Sequence, residues 1–418
     1  MLTRLSAAEA ATRIVAAVPR QPPLRVPLDQ ALGSVLAEAV ASPIDIPFRT
    51  NSAMDGYAAR AADVRGATAE SPRRLQVIDR IAAGAVPARA IGPGEAARIF
   101  TGAPLPDGAD SVIRQEDTDE GDPVVTIAKD RDAGVNIRLA GEDIRAGRTV
   151  LEPGTELGAA HLGVLASVAV AQPLVYRRPR VGILASGDEI ADVDQPDEIL
   201  SGRKIASSNT HTLRALIRIA GGEPVDLGIA RDDPASVARH LDAAGDCDLV
   251  VSTAGISVGE HDHLRGVIES RGGRLDFWRL RMRPGAPVGF GTLGSGQPWV
   301  GLPGNPVSTM VTFELFVRPA IRAMMGHRDP FRRARAAAVT EPVNLKPPLQ
   351  HFLRAVLTEG NPATVRLTGP QGSGILTSMV AANALLIVPE GLHAVPVGGM
   401  LRAIGLDDPH HQECPPFD

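Results

Sequence analysis

The segment 180–253 constrains the fold most, because apolar strands and helical stretches alternate along it. The apolar runs 181–185, 225–229 and 248–253 predict buried strands, and helical stretches over 209–219 and 234–244 follow the first two. Strands that alternate with helices predict a parallel sheet with crossover connections. Ligands of such sheets bind beyond the carboxyl ends of the strands. We therefore expect a binding site at that edge.

The rest of the chain predicts additional, β-rich domains. At 418 residues the chain is too long for one ordinary core, and roughly 100–200 residues per domain suggests two to four domains. Ser6 begins an amphipathic helix, short β-runs fill residues 75–127, and after Gly326 the pattern is again all-β. The expected fold class is a multidomain α/β plus β protein with a small β-barrel or sandwich at the end.

Composition excludes several functional classes. A net charge of −5 argues against a general nucleic-acid surface. The two cysteines, Cys247 and Cys414, form neither a disulfide framework nor a metal-ligand spacing. Because no apolar run approaches the roughly 18 residues of a membrane span, and Glu9 and Arg13 interrupt any signal-peptide core, we expect a cytoplasmic protein with no membrane partner.

Acidic residues follow the predicted strands of the α/β sheet. The candidates for a shared Mg²⁺ site are Asp188, Glu189, Asp232 and Asp262. Magnesium takes hard oxygen ligands and is usually shared with phosphate, so converging carboxylates at this edge would suit it. Any one of these residues could instead cap a helix or lie in a loop exposed to solvent, without binding a metal.

Three further features could hold an anion. The loop 252–259 follows a strand, so its backbone N–H groups could meet an anion, although a tight βα turn explains it too. Arg279, Arg281 and Arg283 alternate at strand period and predict a cationic row, or the solvent face of an edge strand. An apolar helix begins at Gly304, Asn305 and Pro306. Its N-terminal end could bind an anion, or these residues could simply cap the helix.

Other chemistries find no support in the sequence. Neither G-x-G-x-x-G nor G-x-x-x-x-G-K-[ST] occurs, which argues against nicotinamide and Walker-type sites. The ten histidines give no zinc signature, and without G-x-S-x-G or an activated cysteine we do not expect covalent catalysis. The residues alone therefore predict a phosphate-handling, Mg²⁺-dependent site on an α/β domain.

Six strings in a fixed order carry a family resemblance. They are residues 50–58 (TNSAMDGYA), 100–104 (FTGAP), 141–144 (GEDI), 186–189 (SGDE), 257–262 (SVGEHD) and 301–308 (GLPGNPVS). Together they resemble the MoeA family, the molybdopterin molybdenumtransferases, which include the E domain of gephyrin. The resemblance covers essentially the whole chain. The α/β strings alone are shared with the MogA-like adenylyltransferases, and the strings around Asp55, Thr101 and Asp143 select MoeA.

The resemblance implies an elongated, four-part subunit that forms a homodimer. Its parts would be an N-terminal linking and dimerisation domain (1–48 and 142–178), a β-rich lobe (49–141), a MogA-like molybdopterin-binding α/β domain (179–328) and a C-terminal β-barrel (329–418). In the family, the N-terminal motif regions of one subunit face the α/β domain of the other. Further implied partners are a MogA-like adenylyltransferase and molybdoenzyme chaperones.

The implied reaction inserts molybdate into adenylated molybdopterin and releases AMP, with Mg²⁺ assisting. Carried over residue by residue, the catalytic candidates are Asp55, Thr101, Asp143, Glu189, Asp232 and Asp262. The candidates for substrate binding are Ser186, Gly187, Asn209, Gly255, Ser257, Gly259, Arg279, Arg283, Pro303, Gly304, Asn305, Pro306, Arg354 and Ser373.

The sequence departs from the family pattern at two motifs. The usual Lys-Pro-Gly-Lys-Pro reads RPGAP over 283–287, so Arg283 keeps a charge and Ala286 loses one. The usual Ser-Gly-Gly reads TAG over 253–255, where a methyl at Ala254 could hinder a positive φ. The alternative to an active transferase is therefore a catalytically weak paralogue that binds the pterin nucleotide or a partner as a scaffold.

Overall fold

The computed structural model describes residues 4–254, 263–345 and 349–417. The chain divides into two compact units. Unit 2 comprises Glu38–Glu152 and Ala160–Ala171, and unit 1 comprises the remainder. The predicted four-part division is finer than these two units and stays a prediction. No helix in the described part of the chain is long and apolar enough to cross a membrane.

A six-stranded sheet forms the α/β part of unit 1. In spatial order its strands are Glu223–Ala230, Arg180–Ser186, Leu249–Thr253, Pro298–Leu302, Gly289–Thr292 and Arg274–Phe277. The first four strands are parallel, and the last two join antiparallel. The predicted α/β architecture is confirmed, with an antiparallel extension that the strand–helix alternation did not reveal.

Helices cover both faces of this sheet because successive strand residues point to opposite sides. Ile183 and Val251 pack with Leu213 and Ile217 of the helix Ser208–Ile219. The neighbouring residues Leu184 and Val250 pack on the other face, with the helices Pro234–Asp242 and His263–Ser270. Nearly continuous apolar strands are what burial on both faces requires.

A long helical run crosses the core of unit 1. It consists of Pro306–Thr312, a π-helical turn Phe313–Val317, and Arg318–Met324. Asn305 occupies the N-cap position and Pro306 the first helical position, where a missing N–H costs nothing. The N-terminal helix Ala7–Ala17 packs in the same core and begins with the predicted cap at Ser6, completed by Glu9.

The C-terminal strands of unit 1 close into a five-stranded barrel. The strands around it are Gln350–Thr358, Thr364–Leu367, Ala334–Val339, Met400–Gly405 and Ala384–Val388, and the last pairs back with the first. The predicted small β-barrel is confirmed. The short strand Met282–Arg283 pairs in parallel with Gln350 and His351, so the sheet places Arg283 directly beside the barrel.

Unit 2 is built on a five-stranded sheet. Its order is Ser111–Arg114, Gly56–Ala59, Glu95–Ile99, Arg73–Ile81 and Val124–Ile127. Gly56 lies where a Cβ atom would stand 1.9 Å from the carbonyl oxygen of Ile113. Only glycine fits there, so the glycine after Asp55 is needed for strand pairing.

Short elements complete the two units. The remaining helices are Ala61–Val64, Ala159–Ser167, Pro196–Leu200 and Thr377–Val380, with 3₁₀ turns at Leu28–Gln30 and Gln115–Asp117. The remaining strand pairs are Pro23–Arg25 with Leu174–Tyr176, Val40–Ala41 with Thr149–Leu151, Asn51–Ser52 with Ile137–Arg138, Ile190–Ala191 with Ile205–Ala206, Phe331–Arg332 with His411–Gln412, and Val343–Asn344 with Ala394–Val395.

Candidate functional site

A cavity of about 440 Å³ lies at the carboxyl edge of the α/β sheet, where the sequence predicted a site. The predicted site residues that line it are Ser186, Glu189, Asn209, Pro303, Gly304, Asn305 and Pro306. They come from the ends of two parallel strands and the starts of two helices, so the topology brings them together. Gly255, Ser257, Gly259 and Asp262 lie outside the described residues.

One hydrogen bond ties two walls of this cavity together. The Asn209 side-chain nitrogen donates to the carbonyl oxygen of Gly304 at 2.8 Å. Asn209 belongs to the first turn of Ser208–Ile219, whose entry is held by a 2.8 Å bond between the hydroxyls of Ser207 and Thr210. The cavity therefore faces the N-terminal turn of a twelve-residue helix, which favours negative charge.

Three of the four predicted metal ligands follow adjacent strands. The Asp188 backbone N–H donates to an Asp232 carboxylate oxygen at 3.3 Å, and the Glu189 carboxylate lines the cavity. Gly187 has φ +139°, and a Cβ atom there would stand 2.7 Å from a Glu189 oxygen, so glycine is required. Within the described residues, no group of three or more His, Cys, Asp or Glu could hold a metal ion by itself. The magnesium ligands stay a prediction.

A second cavity, of about 600 Å³, adjoins the first. It shares Pro287, Pro303 and Asn305 with the first cavity, and it is lined by Arg283, Arg354 and Ser373 from the predicted set. The Ser373 carbonyl oxygen accepts from the Val307 N–H at 3.1 Å, which joins the barrel loop to the start of the long helical run. Residues from the α/β part and from the barrel thus meet at one continuous opening.

Arg354 is the most unusual residue of this second cavity. Its side chain is fully buried, and it donates from Nε to the Ser378 hydroxyl at 3.0 Å and from Nη2 to the Gly372 carbonyl at 2.9 Å. The structure gives it no carboxylate partner among the described residues, and burial lowers the pKa of its guanidinium. A buried cation without a counter-charge is costly in free energy, and an anionic ligand would offset that cost.

The predicted row of three arginines is wrong. The strand Arg274–Phe277 ends before Arg279, and the next strand is the separate pair Met282–Arg283 in the barrel sheet. Arg281 forms an ion pair with Glu390 at 3.2 Å and donates to the Arg4 carbonyl oxygen. The alternating pattern suggested one strand, but the chain changes sheets within it. Arg283 therefore lines the cavity while Arg279 and Arg281 do not.

In unit 2 the structure brings Asp55 and Thr101 into contact. One Asp55 carboxylate oxygen accepts from the Thr101 N–H at 2.7 Å and from its hydroxyl at 2.8 Å. The backbone hydrogen bond, then the hydroxyl bond, and the nearby Arg98 guanidinium hold the pKa of Asp55 below its usual value. Asp143 is exposed, and its N–H donates to the Ile46 carbonyl oxygen at 3.1 Å. Asp55 is thus an exposed, ionised carboxylate held by two hydrogen bonds from Thr101.

Replacing Thr101 by Val is expected to raise the pKa of Asp55 only part of the way to its ordinary value. The hydroxyl bond is lost, but the backbone N–H, which lowers the pKa most, remains. Carboxyl ¹³C NMR titration measures the change. Because the native pKa is depressed, any stability that the hydroxyl adds is present above about pH 4 and is lost as the pH falls through the native pKa. An unchanged Asp55 pKa would contradict this role of the hydroxyl.

Arg98 was not among the residues predicted from the sequence. Its guanidinium lies 5.0 Å from the Tyr57 ring centre and 5.3 Å from that of Phe100, and Nη2 donates to Gln115 at 2.6 Å. Nη1 is buried and has no partner in the described chain. The sequence does hold one sign of this contact, because Arg98 stands two residues before Phe100. Residues two apart in a strand point to the same face, so both side chains lie on one face of the strand Glu95–Ile99 and its extension.

Ala254 lies in the left-handed backbone region, with φ +65°. It lines the first cavity, and its Cβ is 3.3 Å from where a Cβ of Gly304 would stand. The sequence departure at this position therefore introduces a strained alanine into the site.

Replacing Ala254 by Gly is expected to stabilise the protein by between about 0 and 1.6 kcal/mol. Relief of left-handed strain is worth roughly 1–2 kcal/mol, and the greater unfolded-state entropy of glycine opposes it by about 0.4–1 kcal/mol. Thermal unfolding measures the net effect. Ala169, with φ +61° in unit 2, is a matched control, and Ala169→Gly should shift Tm in the same direction. A lower Tm for Ala254→Gly alone would show that the methyl packs favourably.

Three family models together match most of the chain. The models described as "MoeA N-terminal region (domain I and II)", "Probable molybdopterin binding domain" and "MoeA C-terminal region (domain IV)" match residues 5–169, 182–323 and 336–400. Molybdopterin molybdenumtransferase 2 of Mycobacterium tuberculosis is 39% identical over 386 residues, covering 91% of this chain and 94% of that protein.

The chain belongs to the MoeA family. Molybdopterin molybdenumtransferase of Nostoc sp. is 36% identical over 381 residues, covering 88% of this chain and 85% of that protein. A crystal structure of the molybdopterin biosynthesis MoeA protein from Pyrococcus horikoshii OT3 matches with a TM-score of 0.81 and 28% identity, over 96% of this chain and all of that one. The predicted family and its role in molybdenum cofactor biosynthesis are confirmed, and the scaffold alternative is not favoured.

Proposed function

We propose that this chain inserts molybdate into adenylated molybdopterin and releases AMP. The observation that carries the proposal is the pair of adjoining cavities, one at the strand ends of the α/β sheet and the other holding buried Arg354. A nucleotide-linked ligand and a separate oxyanion need such an arrangement. The names of the relatives agree with it, since they are molybdopterin molybdenumtransferases.

The first cavity is assigned to the pterin nucleotide. Ser186 offers a hydroxyl and Asn209 an amide beside the N-terminal turn of Ser208–Ile219, and these groups suit phosphate oxygens. The flat face of the pterin ring would rest on Pro303 and Pro306, which line the same cavity. The ligand would therefore be held by its phosphates and oriented by its ring.

The second cavity is assigned to molybdate. Arg283 is exposed at its wall, Arg354 is buried behind it, and Ser373 supplies a hydroxyl. Molybdate is a tetrahedral dianion, and two guanidinium groups can neutralise it while donating in planar pairs. The shared wall at Pro303 and Asn305 would keep this anion next to the bound pterin.

The carboxylates at the sheet edge suit Mg²⁺ in their donor chemistry. Glu189 and Asp232 offer hard oxygen ligands, but the described residues form no complete cluster, so oxygens of the pyrophosphate would have to share the ion. When bound, Mg²⁺ would neutralise charge on the pyrophosphate. The Asp188 N–H donates to the Asp232 carboxylate at 3.3 Å.

Asp55 is assigned to the chemical step. Its carboxylate is exposed and kept ionised by Thr101, so it can accept the proton of a water molecule that attacks phosphorus. A molybdate oxygen, the alternative nucleophile, carries no proton and would attack without this transfer. Departure of AMP then breaks the phosphoanhydride bond. Asp143, exposed in the same unit, is assigned to the same centre.

We also propose that the working form is a homodimer with composite active centres. Asp55 and Thr101 lie in a β-rich unit that has no nucleotide-binding pattern of its own. A two-fold axis could bring them to the cavities of a second copy, since the same surfaces meet twice in a symmetric dimer.

Mixing two inactive variants tests the composite centre. Asp55→Asn and Glu189→Gln are each expected to be inactive, and random reassociation should restore about one quarter of the native centres if each centre takes Asp55 from one protomer and Glu189 from its partner. No recovery in mixed dimers, after exchange has been shown by mass spectrometry of the two variants, would contradict the composite centre.

The function itself is tested by AMP release. Purified protein with adenylated molybdopterin, molybdate and Mg²⁺ is expected to release AMP in proportion to molybdenum bound at the dithiolene. Omitting molybdate or Mg²⁺ controls for hydrolysis by other routes. Tight binding of the pterin nucleotide with no AMP release would refute the proposed activity and support the scaffold alternative.

A further inference from the structure

A buried arginine cluster lies in unit 1, where the long helical run meets the strand pair Phe331–Arg332 and His411–Gln412. The cluster consists of Arg318, Arg322, Arg332, Glu314, Glu156, His327 and His411. Arg318 and Arg322 are 5% and 7% exposed. Being four residues apart on one helix, they point to the same side. Neither residue lines either cavity assigned to the proposed function.

Both histidines in the cluster act as acceptors. Arg318 Nη2 donates to His411 Nε2 at 2.5 Å, and Arg322 Nη2 donates to His327 Nδ1 at 2.9 Å. A guanidinium can only donate, so both imidazoles are neutral. Burial and the neighbouring arginines lower the pKa of His327 to about 2 and that of His411 to about 3. The histidines therefore add hydrogen-bond acceptors but no positive charge near pH 7.

Several N–H groups inside the cluster still lack acceptors. Nε and Nη1 of Arg318 and Nε of Arg322 are shielded from solvent and have no partner among the described residues. Buried donors are nearly always paired in folded proteins, and charged ones most of all. Three unpartnered nitrogens on one face of one helix indicate that an acceptor belongs between them.

Charge shows what kind of acceptor is missing. Among the buried groups, three guanidinium ions face one carboxylate, Glu314, which contacts Arg332 at 2.8 Å and lies 3.8 Å from Arg318 Nε. Glu156 pairs with Arg322 at 3.2 Å, but its side chain is half exposed at the rim. Exposed Asp329 affects the pKa of Arg322 and has no hydrogen bond to it. A water molecule would satisfy the donors, whereas an anion would satisfy both donors and charge.

The local backbone is also unusual. The π-helical turn Phe313–Val317 directly precedes Arg318 and contains Glu314. Such turns occur mostly as single insertions, often at functional sites, because they change which side chains share a face. A cavity of about 550 Å³, lined by His327, Arg20 and Phe331 among others, lies at the edge of the cluster.

We propose that the buried arginine cluster binds one small inorganic anion, of the class of chloride or phosphate, through Arg318 and Arg322. Its role is to complete the charge and hydrogen bonding at the junction of the helical run and the C-terminal strands. This site does not depend on the proposed transferase activity. It predicts a stability that rises with the concentration of a specific anion.

Thermal unfolding in matched salts tests the proposal. The full chain is dialysed into sodium gluconate, and chloride or phosphate then replaces gluconate at constant ionic strength. Tm is expected to rise with the logarithm of the concentration of the anion that binds, at a slope set by one site per chain. Comparing the two salts identifies the anion. Equal Tm values in all three salts would overturn the proposal.

Variants locate the effect. Arg318→Met is expected to abolish the anion dependence, and Arg318→Lys to weaken the apparent affinity at least about tenfold, because lysine loses the planar set of donors. Arg203→Gln, which removes an exposed ion pair with Glu198, should keep the full dependence. Arg283→Ala should also keep it, which excludes phosphate bound in the molybdate cavity.

A direct measurement of chloride binding tests the site even if the Arg318→Met variant does not fold. The ³⁵Cl NMR linewidth of wild-type protein is expected to show saturable, single-site exchange broadening, which phosphate relieves if it competes for the site. Arg318→Lys should shift the saturation to at least about tenfold higher chloride. Undiminished binding in Arg318→Lys, or no saturable binding by chloride or phosphate in the wild-type protein, would refute the site.

Discussion

Asp55→Asn is expected to reduce the rate of AMP release by about 10²- to 10⁴-fold, while binding of the pterin nucleotide changes little. The carboxylate is exposed, and Thr101 holds it ionised with two short hydrogen bonds, so its stabilising contacts favour the form that can accept a proton or a hydrogen bond. Asparagine keeps the shape and loses that capacity, and a lost acid–base group typically costs this factor. Single-turnover AMP release measures the chemical step.

A charge-matched control separates chemistry from net charge. Glu70→Gln removes one exposed acid from the same unit, whose carboxylate bonds to Thr68, and should leave the rate within about twofold. If Asp55→Asn instead weakens nucleotide binding and leaves the single-turnover rate intact, Asp55 is a binding residue and the assignment to the chemical step fails.

The fold was largely predictable because its strongest signals are local. Alternation of apolar strands with helices required a parallel sheet, and the structure has one with four parallel strands. The cap at Ser6 forms as predicted, and Glu9 completes it as a capping box that was not predicted from the sequence. The antiparallel strands Gly289–Thr292 and Arg274–Phe277 carried no such signal, because each has only four residues and neither contains a continuous apolar run.

The site was predictable where topology fixes position. Ser186 and Pro303 each follow a parallel strand, so both had to reach the same edge, and both line the first cavity. The arginine row failed for the converse reason. Period-2 spacing gives the direction of side chains only within one strand, and the chain leaves the α/β sheet after Phe277.

Buried charge was the least predictable feature. Arg354 lies in a strand that would be predicted from its apolar neighbours alone, and nothing in the sequence shows that its guanidinium is fully buried without a carboxylate. The same holds for Arg318 and Arg322, whose helix reads as an ordinary amphipathic segment. Burial of a long polar side chain depends on packing between distant segments, which periodicity does not report.

Loss of Arg283 should strongly weaken the binding of molybdate in the second cavity. Arg281, which sequence spacing placed beside it, is paired with Glu390, and Ala286 has replaced the second lysine of the family motif. Arg283→Ala is therefore expected to raise the molybdate concentration for half-maximal AMP release by about tenfold or more, because a cation that contacts an anion is worth roughly 1–3 kcal/mol.

Restoring the missing lysine provides the opposite change in the same cavity. Ala286 lines that cavity and is partly exposed, so Ala286→Lys can add a cation without burying it. We expect it to lower the half-maximal molybdate concentration by about three- to tenfold, less than Arg283→Ala raises it, because a lysine is a point charge without the planar, paired donors of an arginine. Arg366→Ala, which removes an exposed arginine from a barrel strand, should leave the molybdate dependence unchanged. Unchanged molybdate dependence and turnover in Arg283→Ala would show that this motif does not hold the anion, and molybdate would then have to bind without Arg283.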